Sequence, residues 1–295
     1  MENIIKWKDL ELKVLDINKS HANGGRLQKF WVEDIKSGRQ FLIKNSGWFS
    51  YEPISEKIAY IIGRDLGLDV LEYDVMPREL FSDMLSFNPF CKYVSICEKI
   101  DRKGFQLMSI AEVKRARNLV RLEGEEPVTN KQVMYEVLSK NFIDTMILFD
   151  AIIGNKDRHY GNVHVLRDKD GNITGAPLID HGDSLCASTA SLYLRLLGDK
   201  VGDKIDESST MAYSHDEQVK YISSITTINF SVVSKTIQIL TDIEPTLQLL
   251  PKARRIVIKN YITYRLHKYI DYVKNNKHIM EPMDIDIPIR EKEHT

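Results

Sequence analysis

The stretch that decides the reading runs from Phe149 to Leu185, FDAIIGNKDRHYGNVHVLRDKDGNITGAPLIDHGDSL. It opens at the end of an apolar segment in which Met134, Leu138, Phe142, Met146, Phe149 and Ile153 recur every three or four positions. That spacing predicts one long helix against a core, stopping at Gly154-Asn155. A polar cluster follows, Asp157-Arg158-His159 and Asn162, and then two apolar runs, Val163 to Leu166 and Ile173 to Ile179. Between them lies Asp168-Lys-Asp-Gly-Asn172, whose turn-forming residues predict a hairpin. Asp157 and Asn162 thus share one loop, and the hairpin folds the chain back so that Asp180 returns beside Asn162.

Phosphoryl transfer needs these residue types. One carboxylate orients the acceptor hydroxyl, while a second carboxylate and a side-chain amide oxygen hold Mg²⁺ against a triphosphate. Asp157 takes the first role, and Asn162 and Asp180 are the candidate metal ligands. His159 either orients the loop or joins the chemistry. Duller readings stand beside these. Asp and Asn readily cap loop backbone, Asp180 can cap the turn before Gly182, and Lys156 and Arg158 either steady a γ-phosphate or face solvent. Two other patterns fail on spacing. The Asp168–Asn172 turn has its glycine at the fourth position, where an EF-hand loop needs it at the sixth. Asp180-His181 reverses the His-Asp order that a metal phosphohydrolase would show.

Upstream, the pattern is that of strands. Leu10, Leu12 and Val14 alternate with polar neighbours, and Leu27 to Ile35 and Gln40 to Lys44 flank the turn Lys36-Ser-Gly38. Val70 to Val75 and Tyr93 to Ile96 read as further strands, with an irregular stretch holding Phe87-Asn-Pro-Phe90 between them. A helix fits Pro53 to Leu66, with Ile54, Ile58, Ile61 and Ile62 on one face and Gly67 as its stop. After about Asp101 the pattern is helical, ending in an amphipathic helix through Ile258, Ile262, Leu266, Tyr269 and Val273. The expected class is α+β in two lobes: a β-rich lobe over 1–98, a helical lobe over 99–280, and a loosely held charged tail over 281–295.

The pattern Gly154-Asn155-x-Asp157-x-His159-x-x-Asn162 followed by Asp180 resembles the catalytic and metal loops of HipA-like serine/threonine kinases. The Asp-Arg-His-x-x-Asn form and the Ile-Asp-His-Gly after it are also similar to phosphatidylinositol kinases. Phe41-Leu-Ile-Lys44 resembles the kinase strand whose lysine touches the ATP phosphates. Ser55 to Val70 resembles the HipA-like helix, which makes Glu56 the implied ion-pair partner of Lys44. Ser95 to Arg102 resembles the hinge, where backbone around Glu98 and Ile100 would receive adenine. Gly24 and Gly25 would let a loop approach the phosphates, although a plain hairpin turn explains them equally. Ser20 stands near the family's phosphate-loop serine, with spacing off by about a residue, which suggests self-phosphorylation there. The resemblance implies a two-lobed protein-kinase-like fold, ATP and Mg²⁺ as cofactors, and a protein substrate accepting on Ser or Thr. It further implies an inhibitory antitoxin-like partner, as in a toxin–antitoxin pair. The sequence has no room for the extra N-terminal subdomain of the full HipA architecture and reads as the kinase core alone. Two rivals keep the fold: a phosphoinositide kinase, and a catalytically silent binding module.

Composition narrows the classes. With 41 basic against 42 acidic residues the net charge is −1, which argues against direct nucleic-acid binding. Three cysteines, Cys91, Cys97 and Cys186, form neither a disulfide framework nor a zinc motif. No run of 18 apolar residues predicts a membrane span, and the N-terminus lacks a signal-peptide core. The expected location is the cytoplasm, with export as an effector left open. Lys252, Arg254, Arg255, Lys259, Arg265 and Lys268 form a basic stretch that reads as a solvated helix face, or as a docking surface for an acidic partner.

Overall fold

The computed structural model describes residues 10–15, 29–46, 51–81, 92–120, 126–189, 214–220, 222 and 230–275. Ser20, Gly24, Gly25, the Phe87–Phe90 turns, Cys91 and the tail from Glu281 lie outside them.

The N-terminal strands are β1 (Leu12–Val14), β2 (Lys29–Asp34), β3 (Gln40–Lys44), β4 (Tyr73–Pro77) and β5 (Tyr93–Glu98). They form a five-stranded antiparallel sheet in the order β1-β2-β3-β5-β4. Val32, Phe41, Ile43, Met76, Val94 and Ile96 fill its buried face. The β2–β3 turn closes as its sequence demands: Asp34 accepts from the Ser37 amide at 3.0 Å, and Gly38 takes φ 70°.

Helix α1 (Glu52–Asp65) connects β3 to β4. Pro53 sits in its first turn, and Ile54, Ile58, Ile61 and Ile62 are all buried. These isoleucines pack into the same core as the C-terminal helices, whereas the sheet face has a separate small core. The helix is thereby a shared wall between the sheet and the rest of the chain.

Beyond the sheet come β6 (Phe105–Ser109), α2 (Ile110–Leu119), α3 (Asn130–Val137), α4 (Lys140–Ile153), β7 (His164–Asp168), β8 (Ile173–Gly175), α5 (His215–Val219), α6 (Val232–Leu247) and α7 (Lys252–Asn275). The architecture is α+β, as expected. Three local readings change. The expected single helix from Met134 to Ile153 is two helices, because Leu138 turns extended and Ser139 caps α4, its Oγ accepting from the Phe142 amide at 3.2 Å. The stretch after Asp101 begins with a strand, β6, which pairs with β7 and completes a three-stranded sheet. The far arm of the hairpin is shorter than Ile173 to Ile179. After Gly175 it crosses over, and Leu178 makes a parallel bridge with Val70. Leu178 donates to Asp69 at 2.8 Å and accepts from Leu71 at 2.9 Å, which fastens the approach to Asp180 onto the segment after α1.

Candidate active site

Lys44 ends β3 directly opposite Ser95 of β5 and Lys29 of β2. Its ammonium is buried and lies 2.8 Å from Glu56 Oε1, 2.9 Å from Asp180 Oδ1 and 3.1 Å from the Tyr73 hydroxyl. Glu56 comes from the buried face of α1, Tyr73 from β4, and Asp180 from the segment after the hairpin. Lys29, the cross-strand neighbour of Lys44, lies 3.8 Å from Asp180 Oδ2. Like charges directly opposite on adjacent strands repel; here the Asp180 carboxylate lies between the two lysines and offsets that repulsion.

Two backbone amides fix the start of the Asp180-His181-Gly182 motif. Asp180 N donates to Tyr73 OH at 3.3 Å, and His181 N donates to Glu56 Oε2 at 2.9 Å. Asp180 takes φ 60°, and Leu185 and Cys186 follow at 52° and 58°. Non-glycine residues occupy this left-handed region infrequently and at a cost, which concentrates at functional turns.

The loop after α4 is built around Arg158, which is 1% exposed. Its guanidinium forks onto Asp150, with both nitrogen–oxygen distances at 2.9 Å. It also donates to the Asn162 carbonyl at 3.1 Å and the Ile179 carbonyl at 2.7 Å, and lies 3.0 Å from His181 Nδ1. One side chain thus ties the loop after α4 to the segment that delivers Asp180. Asn155 accepts from the Asp157 amide at 3.0 Å and donates to Asp150 at 3.0 Å. Asn162 Nδ2 donates to the Asp157 carbonyl at 2.8 Å. Gly154 caps α4 at φ 62°, and an added Cβ would come within 1.9 Å of the Tyr261 hydroxyl.

The electrostatics follow from burial and pairing. Burial pushes the Lys44 pKa down, but Asp180 and then Glu56 outweigh it and hold the ammonium charged. Burial likewise pushes Asp180 up, and Lys44 and then Lys29 reverse this, leaving the carboxyl well below its usual range. Glu56 is raised, by burial first and against the pull of Lys44. His181 is fully buried and pushed well below its ordinary value by burial and the Arg158 charge, so its ring is neutral.

The structure brings Lys44, Glu56 and Asp180 into direct contact, and links Asp157, Asn162 and Asp180 through backbone that Arg158 and Asn162 hold. Asp157 is exposed, and Asn162 is buried. His159 is half-buried, and its Nδ1 accepts from the Gly161 amide at 3.0 Å, a loop-orienting contact. Glu98 and Ile100 lie apart from this cluster: Glu98 pairs with Phe41, about three residues or ~10 Å along β5 from the Lys44 partner. The Glu98 carboxylate is forked by Arg39, with Nε at 2.7 Å. Neither earlier reading of Arg158 holds, since it is an internal strut. Lys156 lies 3.1 Å from Ser188 Oγ and 3.9 Å from Asp183. The basic stretch of α7 is also partly internal: Arg254 and Arg265 are 3% and 1% exposed and donate to the carbonyls of Cys186 and Ala151. Lys259 and Lys268 pair with Glu244 and Asp216.

Sequence reasoning missed Tyr73, Lys29, Asp150 and the role of Arg158. Alternation along β2 and β3 would have put Lys29 and Lys44 on one face once their register was known; nothing local marks Tyr73.

No protein-family model matches the chain, and no curated protein matches it. Among solved structures, the Helicobacter pylori proinflammatory kinase CtkA superposes with a TM-score of 0.60 at 16% identity, covering 92% of this chain and 98% of that one. The PAN3 pseudokinases of Neurospora crassa, in complex with PAN2, and of Drosophila melanogaster give TM-scores of 0.30 and 0.28 at 13% and 9% identity, covering 94% and 91% of this chain and 68% and 69% of theirs. Those two scores are too low to carry weight. The likeness to CtkA spans nearly the whole of both chains, and it shows that this chain has a kinase-like fold.

Proposed function

We propose that the protein is an ATP- and Mg²⁺-dependent kinase that transfers the γ-phosphoryl group to Ser or Thr hydroxyls of a protein, with the motif order of the HipA-like kind. The observation that carries this reading is the buried Lys44 ammonium held between Glu56 and Asp180 at 2.8 and 2.9 Å. A buried lysine in contact with two carboxylates from separate elements is costly to assemble as a purely structural device. A phosphate-binding cation with its orienting partner and a metal ligand accounts for all three.

The donor set fits Mg·ATP. Asp180 and Asn162 offer hard oxygen, and Lys44 and Lys29 offer positive charge to phosphates. Mg²⁺ would take its remaining ligands from water and phosphate oxygens. Bound metal supplies neutralisation of charge on the transferring group.

The chain's own residues do the rest. Glu56 keeps Lys44 aimed at the phosphates. Asn162 commits its amide nitrogen to the Asp157 carbonyl, so its oxygen is the end offered to the metal. Asp157, exposed at the loop tip, orients the acceptor hydroxyl and receives its proton. Backbone past β5, around Glu98 and Ile100, is where adenine would lie, with the Glu98 side chain held aside by Arg39.

Incubation with γ-labelled ATP, Mg²⁺ and a cell extract tests the reading, with label expected on protein at Ser or Thr. Asp157→Asn should keep nucleotide binding and cut transfer by about 10³-fold, which is ~4 kcal/mol of transition-state stabilisation. Asp180→Asn should weaken Mg·nucleotide binding as well. Equal transfer by wild type and Asp157→Asn would remove the assigned role, and label on phosphoinositide vesicles with none on protein would change the acceptor class.

A further inference from the structure

Lys44, Glu56 and Asp180 are accounted for by the proposed chemistry, but the fourth member of their cluster is not. Tyr73 is 1% exposed, sits on β4, and was not marked by any sequence motif. Its hydroxyl accepts from the Lys44 ammonium at 3.1 Å and from the Asp180 backbone amide at 3.3 Å. Burial keeps the phenol neutral, so the oxygen is available as an acceptor for both.

The Asp180 amide needs such a partner. Asp180 is half-buried and takes φ 60°, and an amide drawn out of water without an acceptor is expensive. The Asp180 carboxylate is engaged by Lys44 at 2.9 Å and Lys29 at 3.8 Å. A metal ligand must release part of that grip, and the left-handed backbone then loses one of the contacts that hold it. The amide–phenol bond engages the Asp180 backbone rather than its carboxylate and does not have to change.

We propose that Tyr73 is a positioning residue for the metal motif: its hydroxyl fixes the Asp180 backbone so that the carboxylate can exchange lysine for metal without the turn relaxing. Tyr73 touches neither nucleotide nor acceptor in this scheme. It acts through Asp180, as Glu56 acts through the neighbouring His181 amide. The inference rests on Asp180 being a metal ligand.

Tyr73→Phe removes the oxygen and keeps the ring, and its effect can be read twice. In the free protein, amide hydrogen exchange over residues 178–183 should accelerate at Asp180 while the His181 amide, bound to Glu56, keeps its protection. In binding titrations with a non-hydrolysable ATP analogue, the Mg²⁺ concentration for half-maximal binding should rise roughly 3- to 10-fold, the range of one lost hydrogen bond, while binding in EDTA changes much less. Unchanged exchange at Asp180, or an equal loss with and without Mg²⁺, would overturn the inference, the latter pointing to an effect through Lys44 alone. Wild type and Asp180→Asn serve as references. If Mg²⁺ does not promote analogue binding to wild type, the metal-site reading falls and this inference with it. If it does, and Asp180→Asn abolishes the effect while Tyr73→Phe behaves as wild type, only the role of Tyr73 is lost. Tyr73→Leu, which also removes the ring, should repeat the Mg²⁺ shift if Tyr73→Phe unfolds.

Discussion

Arg158 shows how much one side chain decides. It bonds two carboxylate oxygens of Asp150 and two carbonyls on different segments, and both charged side chains are buried. Truncating one partner of such a buried pair leaves the other charge unpaired, at a cost of about 3–5 kcal/mol. Arg158→Ala should therefore lower the free energy of unfolding by that amount in urea titrations. Arg158→Lys should recover only part of it, because an ammonium cannot reproduce the planar fork; full recovery would show that charge alone suffices. Lys44→Met has a different signature. It removes a cation between two carboxylates, so nucleotide affinity should collapse, while Glu56 loses its main counter-charge and protonates more readily. The identity of Lys44 and Asp180 was legible in the motifs. Their partners Tyr73 and Lys29 were not, because a tyrosine or lysine in a strand carries no local sign of what stands opposite.

Among the elements, α1 carries Glu56 and joins the sheet to the helices. Its isoleucines belong to the helical core. Ser55 Oγ donates to the Ser184 carbonyl at 3.2 Å, Tyr51 N donates to the Ala187 carbonyl at 3.3 Å, and Arg64 reaches Asp242 of α6 at 2.9 Å. A helix held from both ends and along its face keeps Glu56 beside Lys44. Asp242→Ala, which removes the exposed half of that clasp and leaves the Arg64 bonds to Asp65, should cost less than about 1 kcal/mol and leave nucleotide binding unchanged; a large fall in affinity would show that the α6 clasp sets the position of α1. The end of α4 is more fragile. Gly154→Ala must place a methyl group within 1.9 Å of the Tyr261 hydroxyl at φ 62°, and strain together with overpacking should cost a few kcal/mol, seen as a lower Tm. The stop at Gly154 was readable from the sequence, whereas the break at Ser139 was hidden because the apolar period runs through it unchanged.

For the whole molecule, the join between sheet and helices is made of bonds that span the chain: Lys44 to Asp180 is 136 residues, Glu56 to His181 is 125, and Tyr73 to Asp180 is 107. The site and the global fold are therefore stabilised together. Buried histidines add a pH dependence. His215 on α5 is fully buried and held well below its ordinary pKa by burial and by Arg265. Its folded pKa is depressed, so the stability it allows is present above about pH 6.5 and lost as pH falls below that value. Chemical denaturation at pH 7.5 and pH 5 should show that loss, and His215→Gln should reduce it; an equal slope in the variant would place the proton uptake elsewhere.

The sequence by itself determined the residue types, their order and the turns between them. Apolar period, caps and turn chemistry act over a few residues, so α+β class, the stop at Gly154 and the grouping of Asp157 with Asn162 could be read directly. Only the tertiary structure decided which charges meet: Lys29 beside Asp180, Tyr73 under its amide, Arg158 inside the loop, and Arg254 and Arg265 turned inward from a helix that looked merely basic. A hydrogen bond or ion pair depends on where two distant segments are brought, and no local pattern encodes that path.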